Sequence, residues 1–299
     1  MKRYPLALFD AFTDVAFGGS QAAVITAAAT ISDEQRRQIA REIGMPATAF
    51  VDDYGKDWVQ AQFMSTVMEL PMCGHGTLCL FTQLLESGVL QADRDVELRL
   101  PRANASVSLG TTAAGRYRVM LEIQPPRFVA APADIDELPA LLGLGTEALS
   151  PALPMEIARG DFIHLVVPLS GLAAMRKITP DFSAMIRFCH RHGIETIAVF
   201  CLETENPEMH LHVRDFCPAV GVSESAAAGT TNAALSGYLL RHALVATDRA
   251  AVTINAEQGL ELGRPSSIQS LLELDGNGEI RRLQVGGVAT RVFQGEINL

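Results

Sequence analysis

Apolar positions recur along this chain in two periods. Leu6-Ala7-Leu8-Phe9, continued by Ala11-Phe12, and the run from Ala22 to Thr26 predict short strands, separated by the break at Phe17-Gly18-Gly19-Ser20. Ile39, Ala40 and Ile43 recur at helical spacing, which predicts a helix capped at Ser32 or Asp33 and ended by Gly44. Thr48-Ala49-Phe50-Val51 and Trp58 to Met64 return to strand. Glu69-Leu70-Pro71-Met72-Cys73-Gly74-His75-Gly76 reads as a loop opening a helix that runs to about Ser87. Gln124-Pro125-Pro126-Arg127, followed by Pro132 and Pro139, reads as a linker between two lobes.

The second half repeats the plan. Asp161 to Pro168 is an apolar strand, Pro180-Asp181 opens a helix through His192, and Gly193 ends it. Strands follow at Thr196 to Cys201 and His210 to Phe216. Ser223-Glu224-Ser225-Ala226-Ala227-Ala228-Gly229-Thr230-Thr231 then opens a helix to His242. The two loop-helix segments align without a gap: Glu69 falls on Glu224, Gly74 on Gly229, Leu80 on Leu235. Each follows a strand ending near a phenylalanine, Phe63 or Phe216. Matches in order at several places predict an internal duplication.

Composition narrows the classes. With 299 residues, 48% hydrophobic, the chain can bury one large core or two of medium size. A formal net charge of −10 gives no general attraction to nucleic acid or anionic membrane, so neither is expected as a partner. The five cysteines (Cys73, Cys79, Cys189, Cys201, Cys217) are scattered without CxxC pairs, which argues against a disulfide framework and a structural zinc site. The first apolar run is broken by Asp10, too early for a signal peptide, and no segment reaches transmembrane length. The expectation is a soluble cytoplasmic protein.

Several motifs, taken in order, carry a resemblance. Phe9-Asp10-Ala11-Phe12-Thr13-Asp14, Phe17-Gly18-Gly19-Ser20-Gln21-Ala22-Ala23-Val24, Ile39-Ala40-Arg41-Glu42, Thr48-Ala49-Phe50-Val51, Glu69 to Leu78, Gln258-Gly259 with Gly263-Arg264-Pro265-Ser266, and Val285-Gly286-Gly287-Val288 span nearly the whole chain. Together they resemble the phenazine biosynthesis protein F (PhzF-like) family. The resemblance implies an α+β, diaminopimelate epimerase-like fold: two pseudo-symmetric lobes, each a mixed sheet wrapped around a central helix. It implies a first lobe over about residues 1–125, with 276–299 returning to it, and a second over 126–275. It also implies a site between the lobes, no cofactor, and a homodimer.

The same resemblance marks departures. Ala47 stands where the family carries a glutamate thought to move the substrate's proton, Ser225 where it carries an aspartate, and Ser20 where an asparagine is usual. His75 is kept. The candidate catalytic residues are therefore His75 and Cys73, and the candidate substrate-binding residues are Ser20, Ala47, Gly74, Gly76, Ser225, Gly229 and Thr230. Helix N-termini at Gly74 and Gly229 suit a small carboxylate-bearing substrate. The field at the first should lower the Cys73 thiol pKa, while the alternative reading of Cys73 is a small buried apolar residue. The paired loops are expected on opposite walls of one cleft, left wider by Ala47 and Ser20. Glu195 reads as the pseudo-symmetric partner of Ala47, facing solvent, and His210 with His212 as a surface pair. No phosphate loop, dinucleotide fingerprint or metal set is present, so no cofactor and no metal are expected.

Three functions follow. The first is a divergent isomerase of this family, moving a proton or a double bond on a small cyclic amino or hydroxy acid. The second is a racemase, epimerase or dehydratase with Cys73 as its single thiol base, since proline racemase relatives share Met72-Cys73-Gly74-His75-Gly76. The third is a non-catalytic small-molecule-binding protein.

Overall fold

The computed structural model describes residues 2–247 and 250–299. In chain order the elements are β1 (Arg3–Ala11), β2 (Ser20–Ile25), α1 (Asp33–Ile43), β3 (Ala47–Tyr54), β4 (Trp58–Met64), β5 (Glu69–Leu70), α2 (Gly74–Glu86), β6 (Arg94–Arg99), β7 (Asn104–Thr111) and β8 (Tyr117–Ile123). Then come β9 (Arg127–Ala130), α3 (Leu138–Leu141), β10 (Glu156–Arg159), β11 (Ile163–Pro168), α4 (Leu172–Met175), α5 (Phe182–His192), β12 (Thr196–Cys201), β13 (Leu211–Cys217) and β14 (Val222–Ser225). The chain closes with α6 (Gly229–Arg241), β15 (Ala251–Gln258), β16 (Ser266–Leu274), β17 (Ile280–Gly287) and β18 (Ala289–Asn298). It divides into two compact units: Met1–Glu122 with Gly286–Leu299, and Ile123–Val285.

In the first unit the strands run β18-β1-β2-β3-β4-β6-β7-β8. Only the β2–β3 and β4–β6 pairs are parallel. β5 pairs antiparallel with the C-terminal end of β4. The second unit follows the same scheme: β9-β10-β11-β12-β13-β15-β16, with β11–β12 and β13–β15 parallel and β14 antiparallel to the end of β13. The Pro-rich stretch predicted as a linker is thus partly strand. Arg127–Ala130 lies between Pro126 and Pro132 and contains no proline, so its amides are free to pair with β10.

Each sheet holds one long central helix. Nine of the thirteen residues of α2 are buried, and nine of the thirteen of α6. A helix apolar on nearly all sides must be enclosed. The outer helices are amphipathic and capped as the sequence predicts. Ser32 and Gln35 form a capping box at α1, Asp181 accepts from Ala184 N–H at α5, and Gly44 and Gly193 end them at positive φ. α1 packs Ile39 and Ala40 on Phe50 and Met64. α5 packs Met185, Phe188 and Cys189 on Ile197, Val199 and Phe216.

Strand register fixes the duplication residue by residue. Ala22 pairs with Ala47 and Ala49 with Phe63, as His164 pairs with Thr196 and Ala198 with Asp215. Phe63 faces Leu70 as Asp215 faces Ser225. The alternation expected from sequence is therefore one residue out. Phe63 corresponds to Asp215, not Phe216, and Ala47 to Thr196, not Glu195. A slip of one reverses the face of every side chain, so the correction changes which residues meet the central helix.

Candidate active site

In the first unit, the N-terminus of α2 brings two site candidates together. Cys73 is its N-cap, with φ −150° and ψ 104°. Thr77 ties that turn down, its backbone N–H and its hydroxyl donating to the Cys73 carbonyl at 2.9 and 2.8 Å. Cys73 Sγ lies 3.6 Å from both Nδ1 and Nε2 of His75. Equal distances mean that the sulfur is in line with neither nitrogen's lone pair. The Gly76 amide hydrogen-bonds the sulfur, yet burial pushes the thiol up to about 12. Burial likewise pushes His75 down to about 4. Between such values the proton stays on sulfur, and the resting pair is a neutral thiol and a neutral imidazole. The expected lowering of Cys73 is not found. A helix terminus contributes about 0.3–1 kcal/mol, too little to offset removal of a thiolate from water.

The neighbouring glycines differ. A Cβ on Gly76 would sit 3.0 Å from both Cys73 Sγ and the Phe63 ring, whereas one on Gly74 would meet nothing within 4 Å. Gly74 leaves open space at the first turn of α2. Gly19, at φ +57°, has no room for a side chain, because a Cβ would lie 2.0 Å from the Ala11 carbonyl oxygen. It delivers Ser20 to the start of β2 opposite Ala11, partly exposed. Asp10 is buried, and its Oδ2 accepts from the Phe17 N–H at 2.7 Å, which anchors the loop before Gly19. Ala47 has no accessible surface.

In the second unit, the loop from Ser225 to Ala228 is held by Gln258, which is fully buried. Gln258 Nε2 donates to the Ser225 carbonyl at 2.8 Å, and its Oε1 accepts from Asn232 Nδ2 at 2.8 Å and Ala228 N–H at 3.3 Å. Asn232 Nδ2 also donates to the Ala228 carbonyl at 2.9 Å, as Thr77 does to Cys73. Ser266 Oγ donates to the Ala226 carbonyl at 2.8 Å. Glu224 takes both arms of buried Arg214, at 2.8 Å each. The result is a rigid turn that presents Gly229 and Thr230, both partly exposed, at the first turn of α6.

Below that turn lies a group of polar side chains that sequence reasoning missed. His164 Nδ1 is 2.6 Å from Thr196 Oγ1 and 3.5 Å from Thr231 Oγ1. The Thr196 and Thr231 hydroxyls hydrogen-bond Asp215. All four residues are buried. The signal for Asp215 was its break in alternation: it shares a strand face with Leu211 and Val213, where an apolar residue belongs. Two further expectations are corrected. His212 is buried and not a surface residue, with Nδ1 2.7 Å from Glu257 and Nε2 3.0 Å from Glu261; His210 is exposed and lies outside β13. Glu195 is partly buried, and its Oε2 accepts from Ile163 N–H at 2.7 Å. Among the described residues no group of side chains has the arrangement of a metal site, and no helix is long and apolar enough to cross a membrane.

Comparison with known proteins agrees with this architecture. The profile of the family described as Phenazine biosynthesis-like protein matches residues 9–295, and the chain belongs to that family. It is 28% identical to trans-2,3-dihydro-3-hydroxyanthranilate isomerase of Pseudomonas aeruginosa over 305 residues, covering 100% of both chains. The crystal structure of the PhzF-family phenazine biosynthesis protein of Bacillus anthracis superposes with a TM-score of 0.88 at 22% identity over 100% of both chains. A hydroxyproline epimerase from Agrobacterium vitis shares the fold more distantly, with a TM-score of 0.60 at 12% identity, covering 99% of this chain and 92% of that one. The fold is the diaminopimelate epimerase-like fold, and the family supports activity of the isomerase or epimerase type.

Proposed function

We propose that the protein is an isomerase that moves a proton on a small carboxylate-bearing acid, with His75 as the group that carries the proton. The observation that carries this reading is the first turn of α2. A neutral, partly exposed imidazole stands there beside the open space at Gly74 and the free amides of a helix terminus. A neutral ring nitrogen can accept a proton from an activated carbon and return it to another. A bound carboxylate would supply the nearby negative charge that raises His75 from its low value. Gly74, Gly76 and Ser20 are proposed as the substrate-binding residues of the first unit, and Ser225, Gly229 and Thr230 as the candidates of the second. Ala47 has no acid–base group, so turnover of the substrate named for the Pseudomonas relative is expected to be weak. A small cyclic amino or hydroxy acid of different substitution is the better candidate. The Cys73 reading loses its support, because a buried thiol near 12 is not ionised at neutral pH.

The test is solvent-exchange NMR in deuterium oxide over a panel of cyclic and acyclic amino and hydroxy acids. Deuterium entering a panel member, with His75→Gln slowing it by about 10²–10⁴-fold, supports the assignment. Binding without exchange or turnover on any member would mean a non-catalytic binding protein.

A further inference from the structure

The two units answer one packing problem in two ways. In the strand register the first unit has Ala22, Ala47 and Phe63, and Phe63 packs on Gly76 of α2. The corresponding positions of the second unit are His164, Thr196 and Asp215, with Thr231 on α6 in the place of Gly76. The fold therefore does not require polar groups here. A buried carboxylic acid costs stability unless it is hydrogen-bonded, so its presence in one unit only calls for a role.

The polar groups form a connected chain. The hydroxyls of Thr196 and Thr231 hydrogen-bond the Asp215 carboxyl, which favours its charged form. Thr196 Oγ1 also lies 2.6 Å from His164 Nδ1, so the threonine links the imidazole to the carboxyl. Two atoms remain open: Asp215 Oδ1 and His164 Nε2 are buried with no hydrogen-bond partner among the described residues. His164 also lines a cavity of about 10 Å³, with room for roughly one water, together with Thr230, Ala233, Asp161 and Pro126. The network thus runs from a buried carboxyl to a cavity that Thr230 also lines. Across the antiparallel ladder, Asp215 stands opposite Ser225.

We infer that Asp215 is a proton-holding positioning residue, whose charge state sets how strongly Gly229 and Thr230 at the head of α6 attract a carboxylate. Protonated, it leaves the positive end of the helix uncompensated. Ionised, it places a negative charge behind the first turn and opposes an incoming anion. Burial pushes this carboxyl up to about 7, against the lowering effect of the two threonines, so both states are populated near neutrality. The other groups facing it are accounted for. Glu224 of β14 raises it further and is itself paired with Arg214. His164 of β11, held near 4, is neutral. Cys217 of β13 is pushed up and is neutral too. This inference rests on α6 being a substrate-binding element, but its test does not need a substrate.

Protein labelled with ¹³C at aspartate carboxyls is titrated by NMR, with Asp215 assigned by its loss in Asp215→Asn. The expected result is a midpoint near 7 for that signal, with the amides of Gly229 and Thr230 moving at the same midpoint. Thr231→Val removes a donor to the charged form and should raise the midpoint by roughly one pH unit. Should Asp215→Asn not fold, the signal that Thr231→Val displaces serves as the assignment. A midpoint in the ordinary carboxylate range, or Gly229 and Thr230 amides that stay flat while Asp215 titrates, would overturn the inference. Absence of turnover on every acid tested would count against the isomerase reading and leave this titration standing.

Discussion

Gly76 lies so close to Cys73 that a single methyl group would not fit between its Cα and the sulfur: a Cβ there would stand 3.0 Å from Sγ and from two atoms of the Phe63 ring. The contact seals the thiol beneath the first turn of α2. Gly76→Ala must therefore displace a buried ring or the helix start, at a cost of about 1–3 kcal/mol. Differential scanning calorimetry should show a fall in Tm of several degrees. Gly74→Ala meets open space and should leave Tm unchanged or slightly higher, since alanine is the better helix former. An equal loss of Tm in both variants would contradict this geometry.

All five cysteines are buried, and burial raises each of their pKa values. Iodoacetamide at pH 7.5 should label none of them quickly in the native protein and all of them after denaturation. Cys73→Ala should keep most of the isomerase activity. Mass spectrometry showing rapid, selective labelling of Cys73 would restore the thiol-base reading.

The fold was legible because its signals are local and doubled. Ser32, Asp181, Gly44 and Gly193 bound helices in the way their side chains dictate, and the repeat of Glu69–Gly74 in Glu224–Gly229 gave the second unit from the first. The site was legible only in part. His75, Cys73, Gly229 and Thr230 lie at the helix starts that the sequence predicts. The protonation of Cys73 was misread because a helix terminus is visible in a sequence and burial is not. Asp215 and His164 were missed because their role depends on the strand face they share, and a phenylalanine-based alignment placed that face one residue out.

His212 is buried between Glu257 and Glu261; desolvation lowers its pKa, but the hydrogen bonds and negative charges of the two glutamates together outweigh this and raise it. For a raised histidine, the stabilising contribution is full below the unfolded value of about 6.5 and is lost as pH rises through the folded value. The difference in Tm between wild type and His212→Gln should accordingly be largest at pH 6 and shrink toward pH 9. A difference that grows with pH would reverse the assignment.

Arg214 and Glu224 form a bidentate pair with both side chains buried. Arg214→Met leaves a carboxylate buried and unpaired, which should cost about 3–5 kcal/mol. Replacing both residues by methionine should recover much of that loss. Urea denaturation of the three proteins measures it, and a double variant as unstable as the single one would show that the arginine acts through other contacts.

The most direct test of the central claim is the pH dependence of proton exchange in wild type and His75→Gln, on whichever panel acid takes up deuterium. A base held near 4 in the free protein must be neutral to act, so kcat/KM should show no fall from pH 7 down to about 5 and should drop only as pH approaches 4. His75→Gln should lose about 10²–10⁴-fold at every pH while Cys73→Ala keeps the wild-type profile. Undiminished exchange in His75→Gln, with loss in Cys73→Ala, would contradict the account.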